Sequence, residues 1–237
     1  METKMLDKLK REVRKANQKL VELGLVKLTF GNLSAIDELR EYVAIKPSGV
    51  DYSIMKTKDM VILDLSGEKV QGDKNPSSDT PTHLELYRRF GAIGSVIHTH
   101  SEYATSFAQA RVPIKCIGTT HADYFHGDIP VTRNLTEDEI KKDYELNTGK
   151  VIVETFAKNN LDPLEISACL VSGHGPFVWG KTIDQAVENA LILEELAKMN
   201  FKSMLLNNEL SGLDKFLLDK HYLRKHGKNA YYGQKTK

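Results

Sequence analysis

Two stretches of the chain repeat apolar residues at the three- and four-residue spacing of an amphipathic helix. The first ends before Gly24 and contains Leu6, Leu9, Val13, Ala16, Leu20 and Leu23. The second follows Thr182 and contains Ile183, Ala186, Val187, Ala190, Leu191, Leu193, Leu196 and Ala197. Stripes of this width cover a hydrophobic core, so both segments are predicted to be helices that pack on other elements.

Between these helices, short runs of β-favouring residues alternate with turns rich in Gly, Pro and Ser. They predict strands over residues 25–30, 42–46, 60–65, 95–100, 167–172 and 176–179. Further helices are predicted over 80–90 and 101–110, and capping-box pairs at Thr136 with Glu139 and Thr182 with Gln185 mark two helix starts. Since no break in composition divides the chain, we predict one α/β domain over residues 1–237, with helices on both faces of a sheet.

Composition excludes several classes of function. Hydrophobic residues make up 41% and charged residues 27% of the chain, as in ordinary globular enzymes, and the formal net charge is +1. This charge gives no reason to expect a nucleic acid or a membrane as partner. The chain lacks a signal-like apolar segment, and its two cysteines, Cys116 and Cys169, have the apolar surroundings of free thiols. We therefore expect a cytoplasmic protein.

Three histidines are the first candidates for chemistry. His98 and His100 end a predicted strand, on which residues two apart point to the same face. Alone, this pair is more typical of a polar strand edge, and His174, between two glycines, is equally typical of a hairpin turn. Together the three favour a divalent-metal site with an open position for substrate. Asp79, just before a helix, is either a fourth ligand, a group that orients a ligand, or an acid that interacts with the helix dipole.

Small polar loops supply the donors that a phosphate requires. These loops contain Asn32, Lys46, Ser48, Gly49, Ser77 and Ser78. Each loop alone is more typical of an ordinary turn, and only their combination indicates a phosphate site. No nucleotide-binding motif occurs in the sequence. Acid/base candidates lie in the loop with His121 and Asp123 and in the basic, aromatic tail with His221 and Tyr232, and periodicity does not choose among them.

Six motifs in one order carry a family resemblance. They occupy residues 46–52, 76–83, 98–100, 118–124, 172–176 and 219–227. Over essentially the whole chain, they resemble the bacterial L-ribulose-5-phosphate 4-epimerases of the class II aldolase family. This resemblance implies a three-layer α-β-α sandwich with a central mixed, largely antiparallel sheet.

The resemblance also implies roles for individual residues. The metal, zinc in the family with manganese or cobalt as alternatives, would be bound by Asp79, His98, His100 and His174. The phosphorylated pentulose would be bound by Asn32, Lys46, Ser48, Gly49, Ser77, Ser78, Thr119 and Glu145. The catalytic set would be Asp123, Tyr232 and His221. A homotetramer is expected, in which the tail, about 211–237, contributes Tyr232 to the active site of a neighbouring subunit.

The implied activity is the interconversion of L-ribulose 5-phosphate and D-xylulose 5-phosphate by cleavage and re-formation of a carbon–carbon bond, in arabinose or ascorbate catabolism. One alternative is a class II aldolase of the L-fuculose-1-phosphate type, in which a glutamate stands where this chain has Asp79. Another is a non-catalytic scaffold of the same fold, such as the adducin head, which would be expected to lose the histidines.

Overall fold

The computed structural model describes residues 2–233, and within these residues the backbone forms eight α-helices, a seven-stranded sheet and a short 3₁₀ helix at Thr57–Asp59. The helices are α1 (Glu2–Glu22), α2 (Thr80–Arg89), α3 (Glu102–Ala110), α4 (Thr119–Ala122), α5 (Glu137–Lys141), α6 (Tyr144–Lys158), α7 (Ile183–Leu206) and α8 (Lys215–His226). The strands are β1 (Asn32–Ile36), β2 (Tyr42–Ile45), β3 (Val61–Asp64), β4 (Lys69–Gln71), β5 (Ser95–His98), β6 (Ala168–Leu170) and β7 (Pro176–Gly180).

The strands lie in the order β4-β3-β2-β1-β5-β7-β6, and each neighbouring pair among these described strands is antiparallel. A parallel contact occurs as an isolated bridge between Val131 and Leu170. The sheet is therefore largely antiparallel, as predicted. Among residues 2–233, no helix combines the length and the apolar content that crossing a bilayer requires.

The sheet separates two layers of helices. On one face, Ser34 of β1 places its Oγ 2.7 Å from His83 Nδ1 and 2.8 Å from Tyr87 Oη, both on α2. Trp179 of β7 lies on the same face, with its ring centroid 5.2 Å from that of Phe90 and 5.3 Å from that of Phe156 on α6. The helices α1 and α7 contact β1, β5 and β7 and each other, and they cover the opposite face. The predicted three-layer sandwich is confirmed.

A buried asparagine joins α1 to the centre of the sheet. Asn17 lies within the apolar stripe of α1, yet its Nδ2 donates to the Leu33 carbonyl at 3.0 Å and its Oδ1 accepts from the Leu33 N–H at 2.9 Å. Its Nδ2 also donates to the Val13 carbonyl at 2.9 Å. Both polar groups of one β1 residue are therefore satisfied by a helix side chain, which fixes α1 against the start of β1.

The predicted strand at 25–30 is wrong. Leu25 and Val26 are buried there, but the backbone turns, with φ of 54° at Leu28, and 53% of Phe30 is exposed. The strand begins instead at Asn32, after Gly31. Gly31 has φ of 75°, and a Cβ at that position would lie 2.8 Å from the His98 carbonyl oxygen, so the close approach of β5 requires glycine here.

The other predicted elements are confirmed, with shifted ends. The strand predicted over 95–100 ends at His98, and the strands at 42–45, 61–64, 168–170 and 176–180 match their predictions. At α5, Thr136 and Glu139 form the complete capping box. At α7, Gln185 N–H donates to Thr182 Oγ1, but Gln185 Oε1 accepts from the Lys181 N–H rather than from Thr182. Of the predicted tail, residues 234–237 lie outside the described residues.

We predict that Asn17→Ala lowers the free energy of unfolding by about 2–4 kcal/mol, because it leaves the buried N–H and C=O of Leu33 without partners. Urea denaturation followed by circular dichroism measures this change. Lys15→Ala, at an exposed position of the same helix, is the matched control and should change the free energy by less than about 0.5 kcal/mol. Equal effects of the two substitutions would contradict the bridging role of Asn17.

Candidate active site

The pairing of three strands brings the predicted histidines together. His98 is the last residue of β5, and it lies opposite Phe177 of β7 and opposite Asn32 of β1. His174 lies in the turn between β6 and β7, so the β5–β7 pairing carries that turn to the end of β5. His100 lies two residues beyond His98, past the end of the strand.

The three imidazoles converge on one point. Within residues 2–233, His98, His100 and His174 form a group in which one ring nitrogen from each lies within 4.8 Å of the others. His98 Nε2 and His100 Nε2 are 3.0 Å apart. Two nitrogens that bind one zinc ion tetrahedrally at 2.0–2.1 Å are about 3.3 Å apart. The arrangement therefore fits a divalent cation held by three nitrogen ligands, with a position left for a further ligand.

The surroundings of His98 keep its Nε2 available. Its Nδ1 donates to the Pro176 carbonyl at 3.0 Å, so the proton is on Nδ1 and the lone pair is on Nε2. Phe177 stacks on the ring, with a centroid distance of 4.3 Å and an interplanar angle of 17°. Burial lowers the pKa of His98 to about 3, and burial also lowers the pKa of His100 and His174. Neutral imidazole is the form that binds metal.

Tyr144, which the sequence patterns did not indicate, contacts this cluster. Its Oη lies 3.3 Å from His174 Nδ1. It is the first residue of α6, and the preceding Asp143 has φ of 53°. Burial raises the pKa of Tyr144, which keeps the hydroxyl protonated near neutral pH. A contact at Nδ1 orients the ring of His174 and leaves Nε2 for a metal. Tyr144 precedes the predicted site residue Glu145, and that adjacency is the signal that could have found it.

Asp79 lies beside the histidines and is held by Asn32. It occupies the N-cap position of α2, but its side chain accepts no hydrogen bond from the helix backbone. Its Oδ2 instead accepts from Asn32 Nδ2 at 2.6 Å. Burial raises the pKa of Asp79, but the charges of His98 and His83 and the Asn32 hydrogen bond outweigh it, and the pKa is lowered. Asp79 therefore makes no side-chain cap, and its roles as fourth ligand, as a group that orients a ligand and as an acid that interacts with the helix dipole stay predictions.

The predicted phosphate loops lie next to each other. Ser77 N–H donates to the Lys46 carbonyl at 3.0 Å, and Ser48 N–H donates to the Asn75 carbonyl at 3.0 Å. The chain from 46 to 49 therefore runs beside the chain from 75 to 78, and Asp79 continues from there to Asn32. Ser48, Gly49 and Ser78 are exposed, whereas Lys46, Ser77 and Asn32 are buried.

Lys46 is a buried cation with weak contacts. It is 2% exposed, and its Nζ lies 3.3 Å from the Pro47 carbonyl, 3.5 Å from the Thr29 carbonyl and 4.7 Å from the centroid of the Tyr52 ring. Burial lowers its pKa, and the charge of Asp51 offsets part of this effect. A buried ammonium is costly without an anion in contact. A phosphate bound between the loops would provide that anion.

The predicted acid/base residues form a second cluster, away from the histidines. The helix α8 packs on α4, and the Asp123 carboxylate at the end of α4 accepts hydrogen bonds from His221 and Arg224. Tyr232, which is 60% exposed, has its ring centroid 5.0 Å from the Arg224 guanidinium carbon. Among the described residues, no hydrogen bond or ring contact joins this cluster to the three histidines.

The two remaining predicted residues divide between the clusters. Thr119 starts α4, and its carbonyl accepts from the Asp123 N–H at 3.0 Å, so it belongs with Asp123. Glu145 follows Tyr144 in the first turn of α6, and its carbonyl accepts from Thr82 Oγ1 at 2.5 Å. The sequence assigned these residues to a site that the tail of a neighbouring subunit completes, and within one chain the described residues form two groups.

Residues 11–201 match the family described as the class II aldolase and adducin N-terminal domain. This match covers most of the chain. The protein belongs to the class II aldolase and adducin family.

Solved structures agree with the family. An L-fuculose 1-phosphate aldolase is 29% identical, with a TM-score of 0.76, over 90% of this chain and 94% of that one. YgbL from Klebsiella pneumoniae, described as a putative aldolase/epimerase/decarboxylase, is 24% identical, with a TM-score of 0.72, over 91% and 98%. The L-fuculose-1-phosphate aldolase from Thermus thermophilus is 23% identical, with a TM-score of 0.64, over 86% and 98%. The last two comparisons show the fold.

We predict that His100→Ala weakens divalent-metal binding at least about 100-fold, because it removes one of three converging nitrogens. Titration of the metal-free protein with Co²⁺, followed by visible absorption and calorimetry, measures the affinity. Because His100 is exposed, the melting temperature of the metal-free protein should not change. His126→Ala, outside the cluster, should retain wild-type affinity, and equal affinity in His100→Ala would remove His100 from the site.

We predict that Tyr144→Phe weakens metal binding about 10- to 100-fold, because the ring remains but His174 loses the hydroxyl at its Nδ1. The same Co²⁺ titration reports this change. Tyr103→Phe, whose tyrosine lies on α3 and contacts Phe201 of α7, is the matched control. An affinity for Co²⁺ equal to that of the wild type would show that the hydroxyl does not support His174.

Proposed function

We propose that the protein is a metal-dependent epimerase that interconverts L-ribulose 5-phosphate and D-xylulose 5-phosphate at C4, with zinc as its metal. The observation that carries this proposal is the position of three neutral, converging imidazoles beside loops that hold a buried lysine without a close anion. Such a site binds a cation and a phosphate at neighbouring points, as a metal-dependent reaction on a phosphorylated sugar requires.

The phosphate end of the substrate is assigned to the adjacent loops. Lys46 supplies the positive charge, and the exposed Ser48, Gly49 and Ser78 supply hydroxyl and backbone N–H donors. Asn32 Oδ1 is buried and has no hydrogen-bond partner among the described residues, so it is free to accept from a substrate hydroxyl. These contacts hold the phosphorylated fragment in place while its other end reorients.

The hydrogen on C4 is not acidic, because the carbonyl group is at C2, so inversion requires cleavage of the C3–C4 bond. In the proposed reaction, Asp123 takes the proton of the C4 hydroxyl, the bonding electrons pass into an enediolate, and glycolaldehyde phosphate forms. A divalent cation, when bound by the histidines, supplies Lewis-acid stabilisation of the negative charge.

Inversion is completed when the aldehyde presents its other face. C3 then attacks this face, and Tyr232 gives its proton to the new C4 oxygen, which yields D-xylulose 5-phosphate. Proton exchange between Asp123 and Tyr232 restores both groups. While its aldehyde group rotates, the glycolaldehyde phosphate stays bound through its phosphate to the loops of Lys46 and Ser48, which favours re-addition over release.

The separation of the two clusters supports a site shared between subunits. We assign the histidine cluster and the phosphate loops to one subunit and the group around Asp123 and Tyr232 to its neighbour, in a homotetramer. Tyr232 is exposed, and α8 presents it together with Asp123. The tail therefore acts across an interface, as expected from the sequence, although in this proposal it brings Asp123 with it.

A class II aldolase of the L-fuculose-1-phosphate type is the second candidate. It is favoured by the similarity to an L-fuculose 1-phosphate aldolase over 90% of the chain. The presence of Asp79 where that branch carries a glutamate, and its attachment to Asn32, favour the epimerase. A scaffold without catalysis is disfavoured because the three histidines are present and converge.

We predict that the wild-type protein epimerises L-ribulose 5-phosphate, that chelator abolishes the activity, and that Asp123→Asn lowers kcat at least about 100-fold with metal content unchanged. A coupled assay for D-xylulose 5-phosphate measures the rate, and metal analysis measures occupancy. Asp128→Asn, which alters an exposed aspartate near Asp123, is the control and should keep the wild-type kcat. Cleavage of L-fuculose 1-phosphate in place of epimerisation would establish the aldolase.

A further inference from the structure

We infer that Arg224 of α8 is a positioning residue that holds Asp123 and Tyr232, the two proposed proton-transfer groups, in one fixed arrangement beside that helix. The inference rests on the proposed function and deepens it, because it names the residue on which both groups depend. Arg224 lies in the motif at 219–227, but the sequence predicted no role for it. It contacts both side chains and is the point at which α8 and the segment after it meet.

Arg224 contacts the Asp123 carboxylate through two nitrogens. Its Nε donates to Asp123 Oδ1 at 3.1 Å, and its Nη2 donates to Asp123 Oδ2 at 2.8 Å. His221, one helical turn earlier, donates from Nδ1 to Oδ1 at 3.1 Å. A planar fork that meets both oxygens fixes the rotation of the carboxylate, which a single donor does not. Arg224 therefore sets the direction in which Asp123 can accept a proton.

Arg224 also fixes Tyr232 through its backbone and its side chain. Its carbonyl accepts from the N–H groups of Tyr231 at 2.9 Å and Tyr232 at 3.1 Å, which turns the chain back beside α8. Its guanidinium carbon lies 5.0 Å from the centroid of the Tyr232 ring, within the range of a cation–π contact. Lys225 Nζ lies 4.7 Å from the same ring and 4.2 Å from the Tyr124 ring.

The helix that carries Arg224 is itself fixed to the body of the domain. Tyr222 stacks between His126 and His226, with centroid distances of 4.6 Å to each. His126 bridges Glu165 at 3.0 Å and Asp219 of α8 at 2.8 Å. His226 Nε2 donates to the Asp123 carbonyl at 2.9 Å. These contacts hold α8 against α4 independently of the Arg224 side chain, so its loss should disturb Asp123 and Tyr232 without releasing the helix.

The charges around Asp123 predict the effect on proton transfer. Burial raises the pKa of Asp123, but hydrogen bonds from Arg224 and His221 and the charges of Arg224 and Lys225 outweigh it, so the pKa lies below its ordinary value. The other titratable groups here are His226 at the Asp123 carbonyl and Tyr124, whose hydroxyl donates to Glu188 on α7 at 2.9 Å. Without Arg224 the carboxylate should take up a proton at a higher pH and lose its fixed orientation.

The experiment compares kcat, KM and the pH dependence of kcat/KM for the wild type, Arg224→Gln and Arg224→Lys. We expect Arg224→Gln to lower kcat about 10- to 100-fold and to move the acid limb of the profile to higher pH by about one unit, with KM changed less than about threefold. Arg224→Lys keeps the positive charge but not the two-nitrogen contact. Its acid limb should therefore lie close to that of the wild type, whereas its kcat should stay below that of the wild type.

Two controls separate positioning from a general effect of charge or folding. Lys220→Gln removes one positive charge one turn earlier on α8, where Nζ lies 5.2 Å from the Tyr231 ring centroid, and should leave kcat and the profile unchanged. In the Asp123→Asn background, Arg224→Gln should lower kcat less than about twofold, because the carboxylate that Arg224 orients is already replaced by a neutral amide. Circular dichroism and the melting temperature verify that each variant is folded.

Each remaining outcome overturns the inference. If the wild type is active and Arg224→Gln behaves like Lys220→Gln, the proposed function stands and the role of Arg224 is refuted. An increase in KM with kcat unchanged would make Arg224 a substrate-binding residue instead. A lower kcat with an unmoved acid limb in Arg224→Gln, which removes the charge as well as the fork, would indicate a structural effect alone. If the wild type turns over neither sugar phosphate, the proposed function fails first and the inference fails with it.

Discussion

The antiparallel pairing of β5 with β1 on one side and β7 on the other is the constraint on which the candidate site depends. It sets Asn32 and Phe177 opposite His98 and brings the β6–β7 turn, with His174, to the end of β5. Because side chains alternate along a strand, a slip of one residue in either pairing would turn Asn32 or Phe177 to the other face. The close approach of Gly31 to the His98 carbonyl oxygen helps to fix this register.

Burial determines the charge state of the site. It lowers the pKa of His98 to about 3 and lowers the pKa of His100 and His174, so the three imidazoles are neutral near pH 7. Burial also lowers the pKa of the Lys46 ammonium, which has no anion in contact within residues 2–233. Asp79 is the exception, since neighbouring charges and Asn32 keep its pKa low despite burial. Three neutral imidazoles and the half-buried Asp79 carboxylate form a set that a divalent cation would stabilise.

The second cluster is built on a different principle, because its charges are paired within the chain. Arg224 forms an ion pair with Asp123, to which His221 is also hydrogen-bonded. Arg224 and Lys225 lie against the rings of Tyr232 and Tyr124. The first cluster thus offers neutral ring nitrogens that fit a divalent cation, whereas the half-buried charged groups of the second are paired with each other. Among the described residues no hydrogen bond or ring contact joins the two clusters, and this is the reason for which we propose a site between subunits.

The sequence by itself determined those helices and strands whose signal lies within a few neighbouring residues. The apolar stripe of α1, the capping box of α5 and the strands β2, β3, β6 and β7 follow from spacing within a few residues, and residue type alone marked the histidines as ligand candidates. The strand predicted over 25–30 failed because buried Leu25 and Val26 satisfy the same pattern in a turn. Tertiary structure alone decided that Asn17 bonds Leu33, that Tyr144 meets His174 and that Arg224 joins Asp123 to Tyr232. The residues in these contacts are between 8 and 101 positions apart in the sequence and lie on different elements or loops. Periodicity describes neighbours within one helix or strand, so it does not predict which side chains meet once the chain has turned back.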